Sequence, residues 1–250
     1  MRRFTFLNHG ISSIHAAALL LGAAGFLSRL LGMLRDRLLT AKFGAGRELD
    51  IYYAAFQIPD FLSVVFLLGA ASSAILPIFQ EYRKQDHAKA HELIATLFVL
   101  FVAAGMVIAA VTFAIAPALM HYLLPGFSPE DRALAASLTR VMLVVPILFG
   151  ISSILSSVAE SFHRFWAYAL APLFYNLGII VGIIFFVPSL GMWGLGMGVV
   201  LGAFLHFLTQ VRVVRDLGFS PVKMIGLVWR EYMRGRMLLN AGVIRVTALS

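Results

Sequence analysis

The chain has 250 residues, of which 60% are hydrophobic and only 13% are charged, and it contains no cysteine. A soluble domain could not bury that much apolar surface, so lipid is the expected solvent for most of the chain. The missing cysteine excludes disulfides, thiolate metal sites and iron–sulfur clusters from this chain. The net charge of +8 would suggest nucleic acid in a soluble protein. In a membrane protein it is typical of basic cytoplasmic loops or of a basic cavity, so no nucleic-acid partner is expected.

The N-terminal residues 1–25 have a basic start, an apolar core and small residues after it, which is also the pattern of a signal peptide. Further apolar segments follow, and an uncleaved first transmembrane helix is therefore the favoured interpretation. A spanning helix needs roughly 20 mostly apolar residues. Six segments qualify, and they are Ile14–Leu34, Ile51–Phe79, Leu93–Leu124, Leu134–Val158, Trp166–Val187 and Met192–Val211.

We predict an all-α polytopic membrane protein in which residues 1–215 form one six-helix transmembrane lobe. Residues 216–250 would be a short basic connection and the incomplete start of a seventh helix. Prolines lie inside several of the spans, and in a helix bundle neighbouring groups can bond the carbonyls that these prolines leave free.

The Lys and Arg residues between the spans favour a cytoplasmic N-terminus. Twelve would then lie on the cytoplasmic side and five on the outer side, the direction that the positive-inside rule requires. The cytoplasmic set is Arg2, Arg3, Arg83, Lys84, Lys89, Arg164, Arg212, Arg215, Lys223, Arg230, Arg234 and Arg236. The outer set is Arg35, Arg37, Lys42, Arg47 and Arg132.

The first predicted helix carries a stripe of small and charged residues. Gly22, Gly25, Arg29, Gly32 and Asp36 are separated by three or four positions and therefore share one face. Small residues allow either close helix packing or space for a cavity. Arg29 and Asp36 lie about 10 Å apart along the axis. A charge at the depth of Arg29 is costly in lipid, so Arg29 is a candidate functional residue.

The other charges near this helix have plain alternatives. Arg35 and Arg37 could face lipid headgroups, an interpretation that suits Arg37 better. Asp50 precedes the second apolar segment, where the pattern favours an ordinary N-cap over a residue that positions an arginine. Asp60 could pair with an arginine of the first helix or be protonated, and the sequence leaves both open.

Two further patterns have structural explanations. In the sixth span, Gly194, Gly198 and Gly202 recur every four residues, which predicts a helix-packing face. His87 and His91 are spaced to share a metal, but without a third ligand a solvated helix face is favoured. No phosphate-binding loop, nucleophile elbow or zinc-protease motif occurs in this chain, so we expect a transporter without a cofactor rather than an enzyme.

The stretch SRLLGMLRDRLLTAKFGAGRELDIYYAAFQIPDFL, which begins at Ser28, resembles the N-terminal signature of the MurJ (MviN) lipid II flippases. These belong to the multidrug/oligosaccharidyl-lipid/polysaccharide exporter superfamily. GAASSAILPIFQEY, the PGF at residues 125–127 and HRFWAYALAPLFYN at residues 163–176 follow in the family order.

The resemblance implies two six-helix lobes around a central cavity in the bacterial inner membrane. Lipid II, a disaccharide-peptide on a polyprenyl diphosphate, would move from the inner to the outer leaflet. Arg29 and Arg35 match functionally important arginines that would bind the diphosphate. Asp36 and Asp50 match family acids that would orient the arginines. The implied partners are lipid II, membrane lipids and a second lobe, which could be supplied in trans.

The chain also departs from the family pattern. Many relatives carry an arginine where this chain has Ser63 and Val64, and a family glutamate is replaced by Leu68. Part of the cationic cavity would then be absent or supplied from elsewhere. Two rival functions follow. One is export of another polyprenyl-linked sugar or a drug, and the other is a membrane scaffold lobe that does not transport.

Overall fold

The computed structural model describes residues 13–69, 72–218 and 224–226. Every regular element over these residues is helical, which confirms the all-α class predicted from composition. The helices are α1 (Ile14–Phe43), α2 (Arg47–Gly69), α3 (Ser72–Gln85), α4 (His87–Leu123), α5 (Pro129–Met142), α6 (Val144–Ser161), α7 (Trp166–Val181), α8 (Val187–Leu190) and α9 (Met192–Arg215). A π-helical segment, Gly182–Phe186, joins α7 to α8.

Five stretches of the described chain are long and apolar enough to cross a membrane, so the protein is a polytopic membrane protein. They are His15–Phe43, His87–Leu123, Pro129–Ser161, Trp166–Leu190 and Met192–Arg215. The predicted second span is divided between α2 and α3, and residues 70 and 71 lie outside the described residues. The count of six spans therefore stays a prediction, and most of the predicted C-terminal extension also lies outside the described residues.

Helix α1 extends well past Leu34, where the predicted span ends. No helix-breaking residue occurs before Gly44, which has a φ of 67° and ends the helix. The Gly44 N–H donates to the Thr40 carbonyl at 2.8 Å. Arg35 therefore lies on a continuous helix, in fixed register with Arg29.

Helix α6 lies at the centre of the bundle, packed against α2, α3, α4 and α9. Its apolar side chains Ile154, Leu155 and Val158 are fully buried. Four of its five serines are also buried, and the Ser152 hydroxyl donates to the Leu148 carbonyl, one turn back, at 2.7 Å. Because such hydroxyls are bonded within their own helix, they can occupy the interior of a membrane bundle.

The glycines of α9 form a close seam with α7 and with the π-helical segment. A Cβ on Gly198 would lie 2.8 Å from the Gly182 Cα, and one on Gly194 would lie 2.5 Å from the Phe186 carbonyl carbon. A Cβ on Gly178 would overlap the backbone of Gly202. Any larger residue would therefore push the helices apart, which confirms the packing face predicted from the glycine spacing.

Helix α5 supplies partners for two carbonyls that prolines leave free. Pro59 has no N–H for the Ala55 carbonyl. The Thr139 hydroxyl lies 2.9 Å from that oxygen and 2.9 Å from the Ala135 carbonyl of its own helix, and its one proton is shared between the two acceptors. Arg140, which follows directly, bonds the carbonyl freed by Pro117. Its Nε donates to the Phe113 oxygen at 2.9 Å, and its guanidinium lies over the Phe113 ring. These two contacts confirm that neighbouring groups satisfy the proline sites.

Helix α1 lies at the edge of the lobe. It packs mainly against α7 and makes only a small contact with α2. Large apolar side chains on its outer side are exposed, among them Leu19 (76%), Phe26 (64%) and Met33 (68%). One side of α1 is therefore attached to the bundle, while the remainder faces away from it.

Candidate anion-binding face of helix α1

The glycine stripe of α1 faces open space over its first half. Among the described residues, a Cβ on Gly22 or on Gly25 would meet no atom within 4 Å. Further along the helix, a Cβ on Gly32 would lie 3.9 Å from the Asn176 Oδ1 of α7. Small residues allow either close packing or space for a cavity. This stripe leaves space near Gly22 and Gly25, and it approaches α7 near Gly32.

Arg29 lies on the open part of this stripe. Its side chain is exposed, and no described residue holds its guanidinium in a hydrogen bond or an ion pair. All five N–H donors of this group are thus available, and the charge is not neutralised by a neighbouring acid. Arg29 can therefore receive an anion without first breaking a contact within the lobe.

Arg35 is held in place, in contrast to Arg29. Its Nη1 donates to the Asn176 Oδ1 at 3.2 Å, and its Nε donates to the Asp36 Oδ1 at 2.9 Å. The Nη2 also lies 2.8 Å from the same Asp36 oxygen, which completes an ion pair. The Arg35 side chain keeps 27% of its surface exposed, so part of the guanidinium remains accessible. The predicted pairing of Asp36 with a helix-1 arginine is present, with Arg35 as the partner.

Asn176 joins α1 to α7 at this point. The residue is 8% exposed, and its Nδ2 donates to the Ser28 carbonyl, the Ser28 Oγ and the Pro172 carbonyl at 3.1–3.3 Å. Its Oδ1 accepts from Arg35. This one amide therefore bonds two residues of α1 that lie about two turns apart, and it fixes the orientation of Arg35.

Aromatic residues border the Arg35–Asp36 pair. Tyr52 and Tyr53 of α2 and Tyr175 of α7 are all within electrostatic range of Arg35. Tyr52 is 4% exposed, whereas Tyr53 is 44% exposed. Tyr53 is therefore the accessible ring beside Arg35, whereas Tyr52 belongs to the core of the bundle.

Asp50 has a different position from the one its sequence context suggests. Helix α2 begins at Arg47, so Asp50 lies in its first turn and the N-cap interpretation is wrong. Its side chain is exposed, and no ion pair joins it to an arginine within the described residues. An acid in this turn interacts favourably with the helix dipole. Its predicted role in orienting an arginine stays a prediction.

Ser63 and Val64, where the family resemblance led us to expect an arginine, are neutral residues of α2. Ser63 is buried, and its hydroxyl donates to the Pro59 carbonyl at 2.7 Å. Val64 is 47% exposed. The cationic character of this surface therefore depends on α1.

The sequence pattern alone does not predict Asn176 or the three tyrosines as site residues. Asn176 carries the one detectable signal, because an amide within the apolar helix Trp166–Val181 needs hydrogen-bond partners in a membrane. The tyrosines carry no such signal, since aromatic residues are common in spans for packing alone. Their role at this face depends on how α2 and α7 are placed beside α1.

Known proteins match this chain over most of its length. The sequence profile of the family described as "Lipid II flippase MurJ" matches residues 39–246. The lipid II flippase MurJ of Burkholderia cenocepacia is 30% identical over 236 residues, which cover 92% of this chain and 44% of that protein. The probable lipid II flippase MurJ of Borreliella burgdorferi is 29% identical, over 86% of this chain and 41% of that protein.

A solved structure, "Lipid II flippase MurJ, inward closed conformation", superposes with a TM-score of 0.66 and 25% identity. The match covers 78% of this chain and 42% of the solved one. The chain thus spans a little over two-fifths of the length of the curated relatives it matches. Since the family profile covers most of the sequence, the chain belongs to the MurJ family of lipid II flippases.

Proposed function

We propose that this chain is the first lobe of a flippase that moves lipid II from the inner to the outer leaflet of the bacterial cell membrane, with its N-terminus in the cytoplasm. The observation that carries the proposal is the pair of arginines on α1, with Arg29 on the open part of the stripe and Arg35 beside the stripe. Arg29 is exposed without a described partner, and Arg35 is anchored but partly accessible. Lipid II presents a diphosphate, and planar guanidinium groups bind phosphate oxygens through paired, charge-assisted hydrogen bonds.

The two arginines have different roles in this proposal. Arg29 is the free ligand, which can turn towards the diphosphate from an open stretch of helix. Arg35 is the positioned ligand, because Asp36 and Asn176 fix two sides of its guanidinium and leave the remainder exposed. Asp36 orients Arg35, and Asp50 orients an arginine from across the substrate cavity.

The open face of α1 also suggests where the other lobe lies. A charged stripe that faced lipid would be costly, whereas a stripe that lines a water-filled cavity between two lobes would not. We infer that a second lobe faces α1, in the same polypeptide or in trans, and that the two lobes rock about the substrate to expose it on alternate sides.

Complementation tests the ligand role of Arg29. The full-length gene product carrying Arg29→Ala is produced in cells depleted of their own flippase. Loss of a charge-assisted contact should weaken substrate binding about 10- to 100-fold and abolish growth. Arg37→Ala is the matched control, because Arg37 is exposed on the same helix but lies off the stripe. Normal growth of a variant with both Arg29 and Arg35 changed to alanine would disprove the binding role.

The substrate is tested separately from the site. Purified full-length protein in liposomes is supplied with labelled lipid II and with competing lipid-linked sugars. Preferential transport of lipid II is expected. Equal transport of other polyprenyl-linked sugars would favour the alternative exporter, and an intact protein that moves none of them would favour the scaffold.

A further inference from the structure

A groove separate from the α1 face lies between the end of α4 and the start of α5. It has a volume of about 360 Å³ and is lined by Pro117, His121, Pro129, Arg132 and Ala133. This volume is within the range of small-ligand sites. Apart from Arg132 and His121, its walls are proline and alanine, so the polar chemistry of the groove comes from these two side chains.

The two polar side chains of the groove both act as donors. Arg132 Nη1 lies 2.7 Å from His121 Nδ1, and a guanidinium has no acceptor, so Nδ1 must accept. The proton of the neutral imidazole is then on Nε2, which is a second donor. The Arg132 Nε is buried and has no acceptor among the described residues. An anion in the groove would therefore meet the accessible N–H groups of the Arg132 guanidinium and the Nε2–H of His121, and the described lining residues leave no side-chain acceptor open.

The nearest acids do not neutralise Arg132. The carboxylate of Asp131 accepts from Arg47 and from the Ser128 hydroxyl, and Arg47 in turn lies over the Phe127 ring. Glu130 is exposed, where water and salt screen its charge. The Arg132 guanidinium has no carboxylate partner over the described residues and keeps its positive charge.

The position of the groove indicates the source of the anion. It lies at the end of the membrane-spanning stretches His87–Leu123 and Pro129–Ser161, at the level where lipid headgroups begin. Nearby side chains of α4 are exposed, among them Tyr122 (81%), Phe113 (51%) and Leu123 (47%). Guanidinium groups bind phosphate oxygens through charge-assisted hydrogen bonds, and tyrosines are typical of the membrane interface.

We propose that this groove is a binding site for the phosphate of an anionic membrane lipid, with Arg132 and His121 as its ligands. The lipid is a phospholipid or a polyprenyl diphosphate, since both present the same oxygens at this depth. The site does not involve Arg29 or Arg35, so it stands independently of the transport proposal.

The test is native mass spectrometry of the purified chain in detergent, titrated with phosphatidylglycerol, phosphatidylcholine or undecaprenyl diphosphate. Arg132→Gln should weaken the strongest phosphatidylglycerol site about tenfold, the loss expected for one charge-assisted hydrogen bond. Ala133→Leu should have a similar effect while it keeps both ligands, because it fills the groove. Circular dichroism checks that each variant is folded. Lys42→Gln is the matched control, since it removes one charge from an exposed position outside the groove.

The arms of the titration identify the ligand. Tighter binding of phosphatidylglycerol assigns the groove to phospholipid, and tighter binding of undecaprenyl diphosphate assigns it to the polyprenyl carrier. Competition by inorganic phosphate would further support recognition of the phosphate itself. Unchanged affinity in both Arg132→Gln and Ala133→Leu would overturn the proposal. An equal loss in Lys42→Gln, or equal affinity for phosphatidylcholine, would overturn it as well.

Discussion

Helices α1 and α9 are both rich in regularly spaced glycines. The stripe on α9 packs against neighbouring helices, whereas the first half of the stripe on α1 does not. Gly194, Gly198 and Gly202 of α9 contact the backbone of α7 and of the π-helical segment, so closely that no Cβ fits. Gly22 and Gly25 of α1 face open space. The difference lies in the neighbours, because small residues permit close packing only where another helix is present. Where none is present, they leave room, and in α1 that room is beside Arg29.

The largest loss of stability is expected where Gly178 of α7 meets the packed glycines of α9. In Gly178→Ala the new Cβ would overlap the Gly202 backbone, and backbone cannot move aside as a flexible side chain can. We expect a loss of about 3 kcal/mol or more, at the upper end of overpacking effects. The melting temperature of the purified chain in detergent measures this loss.

The open stripe supplies the control for that experiment. Gly25→Ala adds the same methyl group where nothing lies within 4 Å. It should leave stability unchanged or raise it by up to about 1 kcal/mol, since alanine favours the helix. Similar melting temperatures for the two variants would contradict the distinction between a packed and an open stripe.

An intermediate effect is expected where α1 is attached to α7. Asn176→Leu removes the amide that bonds both Ser28 and Arg35. The partly buried guanidinium then loses one partner, at a cost of about 1–2 kcal/mol. Thermal unfolding in detergent measures the change. Ser28→Ala, which removes only one of three acceptors of the amide, should cost less, and an equal loss would show that Asn176 is not the joining residue.

The smallest loss of stability is expected inside the bundle, at the Ala55 carbonyl that Pro59 leaves without a backbone donor. Thr139→Val removes the hydroxyl that donates to the Ala55 oxygen and should cost about 1 kcal/mol. In a Pro59→Ala background the backbone N–H returns, so the same substitution should cost less. A double-mutant cycle on melting temperatures measures this coupling.

Ser137→Ala is the matched control for that cycle, because the Ser137 hydroxyl bonds only the Ala133 carbonyl of its own helix. Zero coupling between Pro59 and Thr139 would mean that the hydroxyl does not compensate for the proline.

Arg29 and Arg35 show which features of the site the sequence could predict and which it could not. The spacing placed Arg29 and Asp36 on one stripe and Arg35 beside it, and the helix confirms that register. The spacing could not show that Asp36 pairs with Arg35, or that Arg35 is also held by Asn176, 141 positions away. Helical periodicity tells which residues share a face, but it carries no information about what that face meets.

The sequence by itself determined the all-helical membrane class, because an apolar content of 60% and long apolar runs leave lipid as the only adequate solvent. It also determined the family, through motifs in one order, and the packing face of α9. Only the tertiary structure decided that the α1 stripe is open over the described residues, and that Thr139 and Arg140 approach the carbonyls freed by Pro59 and Pro117. These features depend on contacts between residues distant in the chain, which form only when separate helices meet.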